Sequence, residues 1–124
     1  MQCVSILWRG EAISIVRVCE PLTLGETTAA LRRSVMALKG HGSFMLLVLK
    51  SSQIDAAGLS LLGRLVAEAS ADGCVVRLVW PSYRRANLLA VGRAITLFDR
   101  LYVDEKSALK VVAADQGGPP LVAA

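Results

Sequence analysis

The groups in this chain that could do chemistry gather around one short stretch. Ser51-Ser52-Gln53-Ile54-Asp55-Ala56-Ala57-Gly58 brings two hydroxyls and a carboxylate to the start of a helix-patterned segment, Gly58-Leu59-Ser60 onward. A hydroxyl becomes a nucleophile only beside a base, and the base needs a group to orient it. The sole histidine, His41, lies between Gly40 and Gly42 and reads as a solvated loop residue. The adjacent carboxylates Asp104-Glu105 read as the start of a helix. Ala57-Gly58-Leu59 lacks the spacing of a phosphate-binding P-loop, and no Gly-x-Gly-x-x-Gly occurs anywhere. The cysteines, Cys3, Cys19 and Cys74, are odd in number and show no paired spacing. That argues against a disulfide framework and against a zinc site, and leaves small hydrophobes on or beside strands. Neither catalysis nor a cofactor nor a metal is expected.

The elements that position this stretch follow from hydrophobic patterning. Phe44-Met45-Leu46-Leu47-Val48-Leu49 is an unbroken apolar run stopped by Lys50, the pattern of a strand buried on both faces. Upstream, Cys3–Trp8 and Ala12–Val18 read as strands joined by a tight turn at Arg9-Gly10-Glu11. The alternation of the second slips between Ile15 and Val16, which fits either a bulge or a strand covered on both sides. After Pro21, Thr23 or Gly25 opens a helix through about Lys39, with Leu31, Val35 and Leu38 on one side. The central helix runs from about Gly58 to Ala71 and ends at Asp72-Gly73. Val75–Val79 follows as a strand, and Ser82 would cap a helix of about Tyr83 to Val91 that Gly92 breaks or turns. Leu97-Phe98 reads as an apolar plug, Leu101–Val103 as a short last strand, and Asp104 or Glu105 as the start of a helix through about Ala113. The expectation is one α/β domain over 1–113, with an N-terminal hairpin, later strands parallel and about four covering helices. Residues 114–124 read as a flexible tail.

Size and composition agree with this layout. A chain of 124 residues, 54% of them hydrophobic, holds one core. Its longest apolar run is far short of the ~20 residues that span a bilayer, and no secretory leader pattern is visible, so a cytoplasmic protein is expected. The net charge of +4 is modest, and the pairs Arg32-Arg33 and Arg84-Arg85 have no interleaved aromatics. Solvated helix faces explain them better than specific nucleic-acid binding.

On the central helix, Leu59, Leu62, Val66 and Ala69, widened by Leu61 and Leu65, form the stripe expected to face the sheet. The other side carries Ser60, Gly63, Arg64, Ala67, Glu68 and Ala71, with Arg64 and Glu68 spaced as an i, i+4 pair. A surface of small side chains admits a partner backbone, so Ser60, Gly63, Arg64 and Ala67 are candidate contacts; a tolerant exposed face fits equally. Asp55 either caps the helix or braces the loop, or touches a partner directly.

The run LLVLKSSQIDAAGLSLLGRLVAEASADGCVVRLV resembles the signature region of STAS domains, the family of bacterial anti-sigma factor antagonists. In that family a buried strand ends in a loop of the form Asp-Ser-Ser/Thr-Gly-Leu that opens a helix, and a glycine-bearing turn leads to a second buried strand. The N-terminal hairpin and the closing LFDRLYVDEKSAL extend the likeness over about Cys3 to Val112. The resemblance implies a partner anti-sigma factor that is a serine kinase and phosphorylates the residue before the motif glycine. Asp55, Gly58 and Leu59 match the motif. Ala56 and Ala57 stand where the hydroxyls belong, with Ala57 at the phosphoacceptor position, so the usual switch has no acceptor.

The departure leaves three readings: a constitutive or structural interaction module, an alternative acceptor at Ser51, Ser52 or Ser60, or alanines introduced at 56 and 57 to lock the unphosphorylated state. The function expected is therefore a non-catalytic, anti-sigma factor antagonist-like interaction module. The alternative is a STAS subunit that binds the ATPase of a phospholipid-transport ABC complex. Neither role requires specific nucleic-acid binding or membrane insertion.

Overall fold

The structure, a computed structural model, describes residues 1–23, 25–38, 43–98 and 101–115, with side chains through Lys110. It is an α/β fold built on a five-stranded mixed sheet in the order β1-β2-β3-β4-β5. β1 (Gln2–Trp8) and β2 (Glu11–Val18) form an antiparallel hairpin, and β3 (Phe44–Leu49), β4 (Val75–Val79) and β5 (Leu101–Tyr102) add in parallel. Among the described residues four helices cover it: α1 (Glu26–Leu38), α2 (Ala56–Ala71), α3 (Leu88–Phe98) and α4 (Glu105–Asp115). His41 and residues 116–124 of the expected tail lie outside the described residues.

The hairpin turns through Arg9 and Gly10, both at positive φ (52° and 86°), the two-residue turn whose twist matches that of the strands. β2 pairs without interruption from Glu11 to Arg17 with β1, so the slip at Ile15-Val16 is not a bulge. Both faces of β2 are covered instead. Ile13 and Ile15 pack on the α4 side, and Val16 and Val18 pack beneath α1 and α2. β3 is central and buried at every residue, with Met45, Leu47 and Leu49 on the α1–α3 side and Phe44, Leu46 and Val48 on the α4 side. An element with two apolar neighbours has no solvent face to pattern, which is why this run contains no polar residue.

Several expectations are corrected. Ser82 caps no helix: only a single 3-10 turn forms at Tyr83–Arg85, and Ala86 then returns to extended backbone. The helix starts at Leu88 because the Asn87 side chain accepts the Leu89 N–H at 2.8 Å, a preferred capping arrangement. Gly92 sits inside α3, and Leu97-Phe98 is its last turn rather than a plug. Ala90, Ala94 and Phe98 at i, i+4, i+8 seat α3 on the sheet, and this packing outweighs the ~1 kcal/mol cost of the internal glycine. The buried arc of α2 is also rotated: it runs through Gly58, Leu61, Leu62, Leu65 and Ala69, while Leu59 and Val66 are only half-buried. α2 lies between α1 and α3, so its flanks meet helices rather than solvent. Of the cysteines, Cys74 is buried, and Cys3 and Cys19 are exposed.

Candidate functional site

The segment between β3 and α2 is fixed by backbone bonds from three directions. Lys50 N–H donates to Val18 O at 2.9 Å, and the buried Trp80 indole N–H donates to Ser51 O at 2.9 Å. Leu22 then grips the loop as a short parallel bridge to Ile54: its N–H donates to Gln53 O (2.9 Å), and its carbonyl accepts Asp55 N–H (3.3 Å). Leu22 and Trp80 thus hold the chain by hydrogen bonds as it approaches the helix start.

Asp55 is the N-cap of α2. Its backbone is extended, and its Oδ1 accepts the Gly58 N–H at 2.8 Å. The capping alternative is therefore realised by this side chain. Gly58 is required for a separate reason. A Cβ there would stand 2.2 Å from the Leu22 carbonyl oxygen and 2.9 Å from Ile54 Cγ1, so the close approach of two backbones excludes any side chain. The aspartate and the glycine act together, one holding the helix end and the other letting the Leu22 strap cross it.

Ala56 and Ala57 occupy the first two helical positions, Ala56 exposed and Ala57 half-buried. Ala57 lines a groove between α1 and α2 with Arg32, Ser60 and Arg64. On the other flank of α2, Leu59, Ser60 and Gly63 line a groove of about 540 Å³ whose far wall is α3: Leu88, Leu89, Gly92, Arg93 and Leu97. Ser60 is exposed on the ridge between the two grooves. Leu88 and Leu89 are 86% and 77% exposed, an unusual display of apolar surface on a helix otherwise seated on the sheet.

Of the expected partner-facing residues, Arg64 and Ala67 are exposed, but Gly63 is half-buried and turned toward Leu97. Arg64 and Glu68 do not close to an ion pair; the described ion pairs are Met1 N-terminus–Glu20 and Arg17–Glu105. A basic residue N-terminal to an acidic one is the weaker i, i+4 order. Ser51 and Ser52 are half-buried, and Ser51 Oγ is engaged, accepting Gln53 N–H at 3.1 Å. Ser60 is the most accessible of the hydroxyls near the loop.

The α3 wall escaped the sequence reading. The signal was present in the Ala90, Ala94, Phe98 spacing, which leaves Leu88 and Leu89 off the buried stripe. Arg32 and Arg64 border one groove and Arg93 the other, beside the positive end of α2. The nearby carboxylate, Asp55, is turned into the helix cap. Among the described residues, no group of three or more His, Cys, Asp or Glu side chains is placed to hold a metal ion, and no helix is long and apolar enough to cross a membrane. The arrangement suits docking: a hydrogen-bonded loop, small side chains at the helix start, and an apolar groove bordered by Arg93. The chain matches no protein-family model, and no match is found among curated proteins or solved structures.

Proposed function

We propose that this chain is a STAS-type domain acting as a non-catalytic interaction module, an anti-sigma factor antagonist-like regulator of a serine kinase-like anti-sigma factor. The observation that carries the reading is a capped, glycine-clamped loop, Asp55–Gly58, beside an exposed apolar groove. The order of elements and strands also fits the fold that the sequence resemblance implies. The docking surface comprises Ala56, Ala57 and Ser60 at the start of α2, with Leu88 and Leu89 across the groove. Ala57 offers no hydroxyl, so binding is constitutive, and the protein works in the cytoplasm with its partner.

A second reading is a subunit bound to the ATPase of a phospholipid-transport ABC complex. It is favoured by the same alanine together with the permanently displayed Leu88-Leu89 pair, since a standing subunit contact needs no switch.

Co-purification of the untagged protein with partner identification separates the two. A small serine kinase supports the first, an ABC ATPase the second, and the absence of both overturns the docking assignment. In the first case Leu89→Glu abolishes capture of the kinase without lowering the melting temperature, because Leu89 contributes little to the core. Ala57→Ser then gains one phosphate on incubation with ATP and that kinase, while the parent gains none. Phosphate on the parent at Ser51, Ser52 or Ser60 would instead show a displaced acceptor.

A further inference from the structure

The two edges of the sheet are built differently. β5 is only Leu101–Tyr102, too short to template another strand. β1 is a seven-residue strand, QCVSILW, with no charge and no proline, and its register with β2 runs without a bulge from Gln2↔Arg17 to Trp8↔Glu11. None of the devices that ordinarily blunt an edge is present in it. Among the described residues β2 is the only element that packs substantially against β1.

The turn fixes which backbone groups are left over. In a two-residue hairpin the flanking pair, here Trp8 and Glu11, exchanges both its N–H and C=O bonds, and alternate pairs follow. Gln2, Val4, Ile6 and Trp8 therefore spend their backbone groups on β2. Cys3, Ser5 and Leu7 direct theirs away from the sheet. The same three residues carry exposed side chains on the α1–α3 side, with Leu7 78% exposed, while Ile6 and Trp8 pack toward α4.

This row is self-complementary. Laid antiparallel against a second copy with a two-fold axis at Ser5, each Ser5 faces its own counterpart, and Cys3 faces Leu7 in both directions. All outward N–H and C=O groups of the three residues find partners. Val4 and Ile6 meet on the other face, and within Gln2–Trp8 no like charges oppose one another. We propose that β1 is a homodimerisation edge, joining two sheets into one continuous sheet through antiparallel β1–β1 pairing centred on Ser5. A strand pair of this length buries less than the ~1,200 Å² of a standard interface, so the dimer forms in a concentration-dependent way. The proposal is independent of the partner assignment, because the edge lies outside the α2–α3 groove.

Sedimentation or light scattering of the full chain tests it, with a doubling of mass expected as concentration rises. A monomer at every concentration up to about 1 mM overturns it. Ser5→Lys places two like charges on the axis and holds the protein monomeric, with unchanged circular dichroism and melting temperature. An equally dimeric Ser5→Lys variant overturns the register. Register is read directly by cross-linking in a Cys3→Ser, Cys19→Ser background under mild oxidation. Ser5→Cys sets two thiols opposite each other at a Cα separation of about 5.5 Å, within disulfide reach. Leu7→Cys in the same background leaves its two thiols offset by about 13 Å along the strands, out of reach. Rapid disulfide dimer for Ser5→Cys and little for Leu7→Cys is the expected result. Equal rates, or no dimer from either, overturn it.

Discussion

Asp55 and Gly58 do different work within the same turn of helix. Removing the carboxylate in Asp55→Ala frees the Gly58 N–H and should cost about 1 kcal/mol, lowering the denaturant midpoint while leaving the slope unchanged. Gly58→Ala should cost more, about 1–3 kcal/mol, because a methyl carbon would be driven into the Leu22 carbonyl oxygen and backbone must move. Equal destabilisation by the two changes would mean that the Leu22 strap yields more readily than a hydrogen-bonded bridge should. The capping role of Asp55 was legible because a carboxylate before a helix-patterned run has a local meaning. The demand on Gly58 was not, because Leu22 lies far away in sequence and only the fold brings its carbonyl over the helix start.

The helices that flank this site differ in what their glycines face. At Gly92 an added Cβ meets nothing within 4 Å, and at Gly63 it meets Leu97 Cδ2 at an ordinary 3.5 Å. Both sit in helix interiors, where alanine is favoured by about 1 kcal/mol. Gly92→Ala and Gly63→Ala should therefore each raise stability by up to about 1 kcal/mol, measured by chemical denaturation. Because both glycines line the α2–α3 groove, the same substitutions narrow it, and weaker partner capture by a more stable protein would show that groove width matters to docking. On a lone helix lying over a sheet Gly63 would fall on an open face. With α1 and α3 on either side, that position becomes the wall of a groove.

At the scale of the molecule, α4 on the reverse face is tied to the sheet by Arg17 and Glu105. Two short bonds, Nε to Oε2 at 2.8 Å and Nη2 to Oε1 at 2.7 Å, join β2 to the first turn of α4 in a bidentate pair. The hydrogen bond from Arg17 holds the Glu105 carboxyl below its ordinary range, against the opposing effect of burial. A carboxyl lowered by folding adds stability that is fully present above its unfolded pKa and is lost as pH falls through the folded one. Glu105→Gln should thus destabilise the protein by about 1 kcal/mol near pH 7, and the difference from the parent should shrink in acid. Urea midpoints measured at about pH 7 and about pH 3 check this, and a constant difference would assign the contribution to packing rather than charge.

By itself the sequence determined the elements whose patterns are local. These are the fully apolar β3, the hairpin turn at Arg9-Gly10, a carboxylate at Asp55 placed where it can cap a helix, and the β-α alternation that makes a parallel sheet. Tertiary structure decided everything that depends on what lies across from a segment. It covered β2 on both faces instead of bulging it, and it moved the start of α3 to Leu88, leaving Leu88 and Leu89 on the surface. It also brought the Leu22 carbonyl against Gly58 and left the β1 edge unpaired among the described residues. The physical reason is common to all of them. A periodicity or a cap is set within a few residues, whereas burial, close approach and exposure are set by residues that meet only once the chain has folded.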